Sequence, residues 1–203
     1  AGRINFVNGN NSFGAEGSGV VYGKLEETPL GFQVPKFEHV ELGEAGIDVD
    51  MGAFKLAGYV RYYKADPVYG HGFKGEIQAA FGKSKMRINV KANAMFGNVR
   101  GFNYWYADAL MAFKPGIPLV ANGVKLSGFG GGAYYHMTRA MKNTFANELG
   151  RTPSGISYEP DKTSFLGIKA SVLITGPSAS TYNGEAGFEI AFNRNGGIRK
   201  IGF

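Results

Sequence analysis

MRINVKANAMF, Met86 to Phe96, decides the fold class. Met86, Ile88, Val90, Ala92, Ala94 and Phe96 share one side of an extended chain; Arg87, Asn89, Lys91 and Asn93 share the other. Alternation with a period of two is the signature of a strand, since a helix repeats about every 3.6 residues. The preceding GFKGEIQAAFG repeats the pattern, with Phe73, Ile77, Ala79 and Phe81 opposed by Lys74, Glu76 and Gln78. Gly82-Lys83-Ser84-Lys85 between them is short enough for a hairpin turn.

Working outward, Phe54, Leu56, Val60 and Tyr62 alternate with Lys55, Tyr59 and Arg61. Ala186, Phe188, Ile190 and Phe192 alternate with Glu185, Glu189 and Asn193, and Asn195-Gly196-Gly197 reads as a turn. Weaker strand patterns fit 19–25, 32–42, 47–53, 102–113, 124–135 and 165–175. One segment departs from this. In TRAMKNTFANELG, Met141, Phe145 and Leu149 recur at helical spacing, Thr138 suits a cap and Gly150 a left-handed stop. The expectation is an all-β chain, an extended or curled antiparallel sheet of sandwich or solenoid type, with one short α-helix at 138–149. The sheet would curl or double to shield its apolar side. In GFGGGAYY, Gly128 to Tyr135, the glycines read as a strand bend or bulge, because no helix with Lys-Ser/Thr follows to make a phosphate loop.

Composition narrows the class. Among 203 residues, 32 are Gly and 14% are aromatic, with 19% charged and no Cys. Aromatic content this high argues against disorder, and no apolar run approaches the ~18 residues of a membrane helix. The absence of Cys removes disulfides, thiolate metal sites and a Cys nucleophile. The chain starts at Ala1 without an apolar leader, as a processed protein or a segment of a longer one would. No composition shift marks a boundary, so 1–203 reads as a single domain with an acidic stretch at 1–50. That stretch carries 8 acids and 3 bases, whereas 51–203 carries 8 acids and 19 bases. The bases alternate with apolar residues along strands and no nucleic-acid motif accompanies them, so a solvated strand face accounts for them.

Catalytic signatures are absent. His39, His71 and His136 share no ligand spacing, and Ser127 lacks a nucleophile elbow because Lys125 stands two before it. Asp48 with Asp50, and Glu185 with Glu189, read as solvated carboxylates rather than calcium or glycosidase pairs, while Glu159 and Asp161 flank Pro160 in a loop, a calcium-type arrangement without the spacing of an EF-hand. The expectation is a protein that is not an enzyme and takes no cofactor or metal. Tyr104-Trp105-Tyr106 followed by Asp108 is the best binding candidate, for a glycan or a partner. Trp105 would point opposite to Tyr104 and Tyr106, so one of the two faces must be core.

FNYWYADALMAF, GIPL, GVKLSGFGGGAYYHM and EIAFNRNGGIRKIGF together resemble stretches of very long β-rich secreted or surface proteins of type IX-secreting Gram-negative bacteria. The likeness covers about 72–203. It implies an extended β architecture with a structural role outside the cell or on its surface. Separately, Arg3-Ile4-Asn5-Phe6 and Lys200-Ile201-Gly202-Phe203 place a basic residue, Ile and Phe alike at both ends. Ile4, Phe6, Ile201 and Phe203 are therefore expected to serve self-association through strand edges, with head-to-tail copies or neighbouring modules as partners. Two alternatives stand beside this reading. One is a carbohydrate-binding β-sandwich built on Tyr104 to Asp108. The other is an outer-membrane β-barrel, against which the outward face fails at Arg199 when counted back from Phe203.

Overall fold

A computed structural model of the chain describes residues 2–27, 32–82, 86–119, 123–140, 148–177 and 183–203. The strands are β1 (Gly2–Asn8), β2 (Asn11–Glu27), β3 (Gln33–Asp50), β4 (Phe54–Asp66), β5 (Gly70–Phe81), β6 (Arg87–Val99) and β7 (Phe102–Pro118). They continue with β8 (Lys125–Tyr135), β9 (Met137–Arg139), β10 (Tyr158–Pro160), β11 (Leu166–Thr175), β12 (Asn183–Phe192) and β13 (Ile198–Gly202). All but β9 and β10 form one antiparallel meander of 11 strands, in chain order from β1 to β8 and then β11 to β13. The chain is all-β, as the alternation requires. The hairpin read from Met86–Phe96 and its predecessor is β5–β6, in register from His71↔Asn98 to Phe81↔Ile88; 83–85 of its turn lie outside the described residues.

The expected helix at 138–149 is not borne out. Met137–Arg139 instead pairs with Tyr158–Pro160, and Glu148 to Gly150 form a bend and turn. Met141 and Phe145 lie outside the described residues. Thr138 cannot cap a helix while its backbone belongs to a ladder, and Met137, fully buried, draws that ladder onto the core. Tertiary packing overrides a weak local preference here.

The glycine run is also placed differently. Gly130, Gly131 and Gly132 lie in regular strand, paired to β7 and β11. The irregularity falls at Ser127, where β8 holds one residue more than β11 between Leu126 and Gly128.

Among the described residues the sheet neither doubles nor closes on itself. No strand pairs with the outer edge of β1 or of β13 among the described residues. The surface is 13177 Å², against about 9300 Å² for a globular monomer of this mass. The core lies on one face, where the β8–β11 connection folds back. Met137, Tyr158, Leu149 and Ile156 from that connection pack on Tyr63, Met95, Tyr104, Tyr106 and Tyr134 of the wall.

Candidate functional site: a two-faced wall with a bound insert

The sequence pattern leads one to expect the apolar side of each strand to be shielded. The structure does the reverse. Phe73, Ile77 and Phe96 are more than half exposed, whereas Lys74, Asn93, Asp108, Lys169 and Glu189 are buried. The polar side of the meander is the inner one.

The outer face is apolar over its whole width. Ladder register aligns Val60, Gly75, Ala94, Ala107, Ala133, Ile168 and Ile190 in one row across β4–β8, β11 and β12. The next row holds Gly58, Ile77, Ala92, Ala109, Gly131, Ala170 and Phe188, and the third Leu56, Ala79, Val90, Met111, Phe129, Val172 and Ala186. None of these 21 positions carries a hydrogen-bonding side chain. The pattern extends through Ile47 and Val49 of β3 and Phe13 and Ala15 of β2 to Ile4 and Phe6 of β1.

Aromatic rows bound this band. On one side Tyr62, Phe73, Phe96, Trp105 and Tyr135 stand level on five successive strands. Ring centroids lie 5.2 Å apart for Tyr62–Phe73 and 6.5 Å for both Phe96–Trp105 and Trp105–Tyr135. One step beyond, the outward positions turn polar at Lys64, His71, Asn98 and Asn103. On the other side Phe54 meets Phe81 at 5.2 Å, and Ile88 and Phe113 continue the row. Phe73 and Phe81 are eight residues apart, about 27 Å along the strand. A strand tilt of about 40° reduces that to about 20 Å in height, close to the ~25 Å apolar band of a membrane barrel.

The inner face holds the described part of the β8–β11 connection, the insert (residues 136–140 and 148–165), by polar contacts. Lys169 meets Asp108 at 2.5 Å, and both contact Ser154 of the insert. Lys74 donates to the Glu148 carbonyl at 2.6 Å, Asn93 to the Arg151 carbonyl at 2.9 Å and Tyr106 to the Leu149 carbonyl at 3.1 Å. Tyr69 donates to the Tyr158 carbonyl at 2.8 Å. Burial lowers the Lys74 pKa below the usual lysine range, opposed by Glu76. Tyr134 donates to Glu189 at 2.6 Å, with Arg139 at 3.4 Å from the same carboxylate. Glu189 is therefore not the solvated carboxylate the sequence suggested, while Glu185 is exposed.

The expected binding cluster is split by the strand. Tyr104 and Tyr106 are buried in the core, Asp108 is committed to Lys169, and Trp105 stands alone on the outer aromatic row. Asp48 and Asp50 face inward, with Asp50 bound to Lys55 at 2.6 Å and its pKa lowered by that contact. Asp161 caps the turn through Thr163 and Ser164; these bonds outweigh its burial and lower its pKa. Among the described residues no group of three or more acidic or His side chains could hold a metal. His136 is buried with φ +50° and bonds the Asn103 carbonyl at 2.9 Å. Ile4 and Phe6 lie on one free edge strand of the sheet; Ile201 is on the other, and Phe203 just past it packs on Phe188 at 5.6 Å.

The insert's hold on the wall left no trace in the sequence beyond alternating Lys, Asn, Asp and Tyr. Their partners are mostly backbone carbonyls, to which composition is blind. No known protein family, curated protein or solved structure matches the chain.

Proposed function

We propose that the chain is a wall segment of a transmembrane β-barrel in a bacterial outer envelope. Its outer face meets lipid, its inner face carries a luminal insert, and its two free edges join the strands that complete the wall. One observation carries this reading: an unbroken apolar outer face between two aromatic rows, backed by a charged inner face. A soluble sheet buries its apolar side; lipid is the surrounding that makes this inversion favourable. The sequence-based objection at Arg199 falls away on this reading. Arg199 sits at a bulge beyond the band and reaches Ser164 at 2.9 Å and Asp161 at 3.9 Å.

The free edges support the joining role expected of Ile4, Phe6, Ile201 and Phe203. With 11 alternating strands, β1 and β13 run in the same sense. An all-antiparallel closure therefore takes an odd number of strands from elsewhere. The self-associating surface module is supported by the same edges, but it leaves the outer face in water.

The test is refolding of the full chain into phosphatidylcholine vesicles. Expected are flotation with the vesicles, trypsin protection of the β4–β8 region and a gel mobility that changes on boiling. A chain that stays monodisperse in buffer without detergent and ignores vesicles overturns the reading.

A further inference from the structure

We infer that Lys169 and Asp108 condense into an amide bond that ties β11 to β7 inside the folded chain. The inference stands on the inner face alone and does not depend on what meets the outer one. Both side chains belong to one inner row, Asn93, Asp108, Gly132, Lys169 and Glu189, with one residue from each of five neighbouring strands. Gly132, between them, has no side chain to keep them apart. Asp108 Oδ2 lies 2.5 Å from Lys169 Nζ and, although buried, accepts no hydrogen bond among the described residues. Cγ is one carbon–oxygen bond of about 1.2 Å further on. Nζ is therefore within about 3.7 Å of the carbon it would attack, close to the ~3–3.5 Å of a near-attack contact.

The surroundings are those the reaction needs. The Lys169 and Asp108 side chains are 8% and 1% exposed, and Nζ sits 5.5 Å from the centre of the fully buried Tyr158 ring. Water that would solvate the two charges, or hydrolyse an amide, is kept out. The backbone N–H and the hydroxyl of Ser154 point at Asp108 Oδ1 from 3.4 and 3.3 Å. These donors are placed to hold the oxyanion that forms on Oδ1 during attack. Lys169 donates to the same Ser154 hydroxyl at 2.5 Å, so this group bridges amine and carboxyl and can pass a proton between them. Glu189, directly opposite Lys169 on β12, is taken up by Tyr134 and Arg139.

The step balances without any other reagent. Lys169 Nζ passes one proton to Asp108 Oδ2, which leaves a neutral amine and a neutral acid. The nitrogen lone pair forms the bond to Cγ, and Oδ1 carries the negative charge of the tetrahedral adduct. A second proton moves from nitrogen to Oδ2 by way of Ser154. The Cγ–Oδ2 bond then breaks, Oδ2 departs as water and Oδ1 becomes the amide oxygen. Two buried charges disappear, and a buried ion pair stabilises little beyond its own desolvation cost. Orientation supplies the rate, since effective molarities of well-placed groups reach about 10⁵–10⁸ M. In a chain with no Cys, the amide is a cross-link of the kind a disulfide would otherwise provide.

Mass spectrometry of the full chain tests this. Chain that has never folded, recovered in urea, has the mass of its sequence. Once folded in detergent micelles and then denatured, it is lighter by one water, and peptide mapping finds the segments of Asp108 and Lys169 joined. Lys169→Arg keeps the cation, has no amine to condense and stays at full mass. Asp50 and Lys55 are an internal control. They meet at 2.6 Å in contact with solvent, where water competes for both charges, and no cross-link joins them. A second variant guards against misfolding. Asp108→Asn expels ammonia in place of water and converges on the mass of the parent's product. A parent with its full strand circular-dichroism signal, full mass and separate Asp108 and Lys169 peptides overturns the inference. An equal loss of water in Lys169→Arg overturns it as well.

Discussion

Asp108 and Lys169 form an ion pair across a strand that separates them. Asp108 on β7 and Lys169 on β11 are both level with Gly132 of β8, and the absent side chain there lets carboxylate and ammonium meet at 2.5 Å. A Cβ at Gly132 would lie 2.6 Å from the Ala107 carbonyl oxygen and 2.7 Å from the Asp108 carboxylate. Gly131, its outward-facing neighbour, would meet nothing closer than 3.4 Å. Gly132→Ala should therefore cost on the order of 3 kcal/mol, as for a broken buried pair. Gly131→Ala should be neutral or slightly stabilising, since glycine weakens a strand interior. Urea unfolding of both variants in detergent micelles measures the contrast; equal effects would contradict it.

The two faces should respond oppositely to charge. Ile77 lies at mid-height of the outer face, and the adjacent Gln78 faces inward. Ile77→Lys should cost about 2–4 kcal/mol in vesicles, the penalty for a cation at the bilayer midplane. Gln78→Lys should change little. Folding yield and unfolding free energy in the same vesicles decide the matter, and a tolerated Ile77→Lys would rule out lipid contact there.

Trp105 is the only tryptophan, which makes the upper aromatic row directly visible. Its emission should shift to the blue on adding vesicles. Quenchers carried near the lipid headgroup should act more strongly than quenchers at the chain ends. Soluble polysaccharide should leave the spectrum unchanged. The opposite result, a response to glycan and none to lipid, would restore the sugar-binding reading of Tyr104, Trp105, Tyr106 and Asp108.

The buried tyrosines set a limit in alkali. Burial pushes the Tyr63 hydroxyl up to about 12, opposed by its bond to Tyr104. Burial likewise raises Tyr69, Tyr104, Tyr106, Tyr134 and Tyr158 above the usual tyrosine range. The unfolded value is about 10. These groups favour the fold fully below that pH, and their contribution is lost as pH rises through the folded values. Phenolate absorbance from them should therefore emerge together with loss of the strand circular-dichroism signal. Ionisation of all tyrosines before the strand signal changes would mean the insert does not cover them.

Cysteines at the edges test how the wall is joined. In Ile4→Cys with Ile201→Cys, a direct β1–β13 seam would form a disulfide, within one chain or between copies. The like sense of the two strands leads us to expect neither on oxidation in vesicles. An oxidised monomer would mean that the chain closes on itself, and an oxidised ladder of multimers that copies join head to tail.

Much of the strand framework was legible beforehand, because alternation is a local property. Phe73 to Phe81 and Ile88 to Phe96 read as strands from spacing alone, and the short link between them made a hairpin. Thr138 to Leu149 was misread for a complementary reason. Its helical spacing is also local, but β9 answers to β10, some twenty residues on, and to the core residues around its own buried Met137, most of which lie far from it in sequence. For Tyr104, Trp105, Tyr106 and Asp108 the opposite directions are legible in the alternation, whereas the burial of Tyr104 and Tyr106 and the pairing of Asp108 with Lys169 depend on strands distant in sequence.

By itself the sequence determined the period, and with it the two-sided character of every strand. Which of the two sides faces inward was settled only by tertiary structure. Alternation is symmetric: Phe73 and Lys74 make the same pattern whether the ring or the ammonium is buried. The insert breaks that symmetry by placing the carbonyls of Glu148 and Arg151 over Lys74 and Asn93, burying the polar side and leaving the apolar side outside.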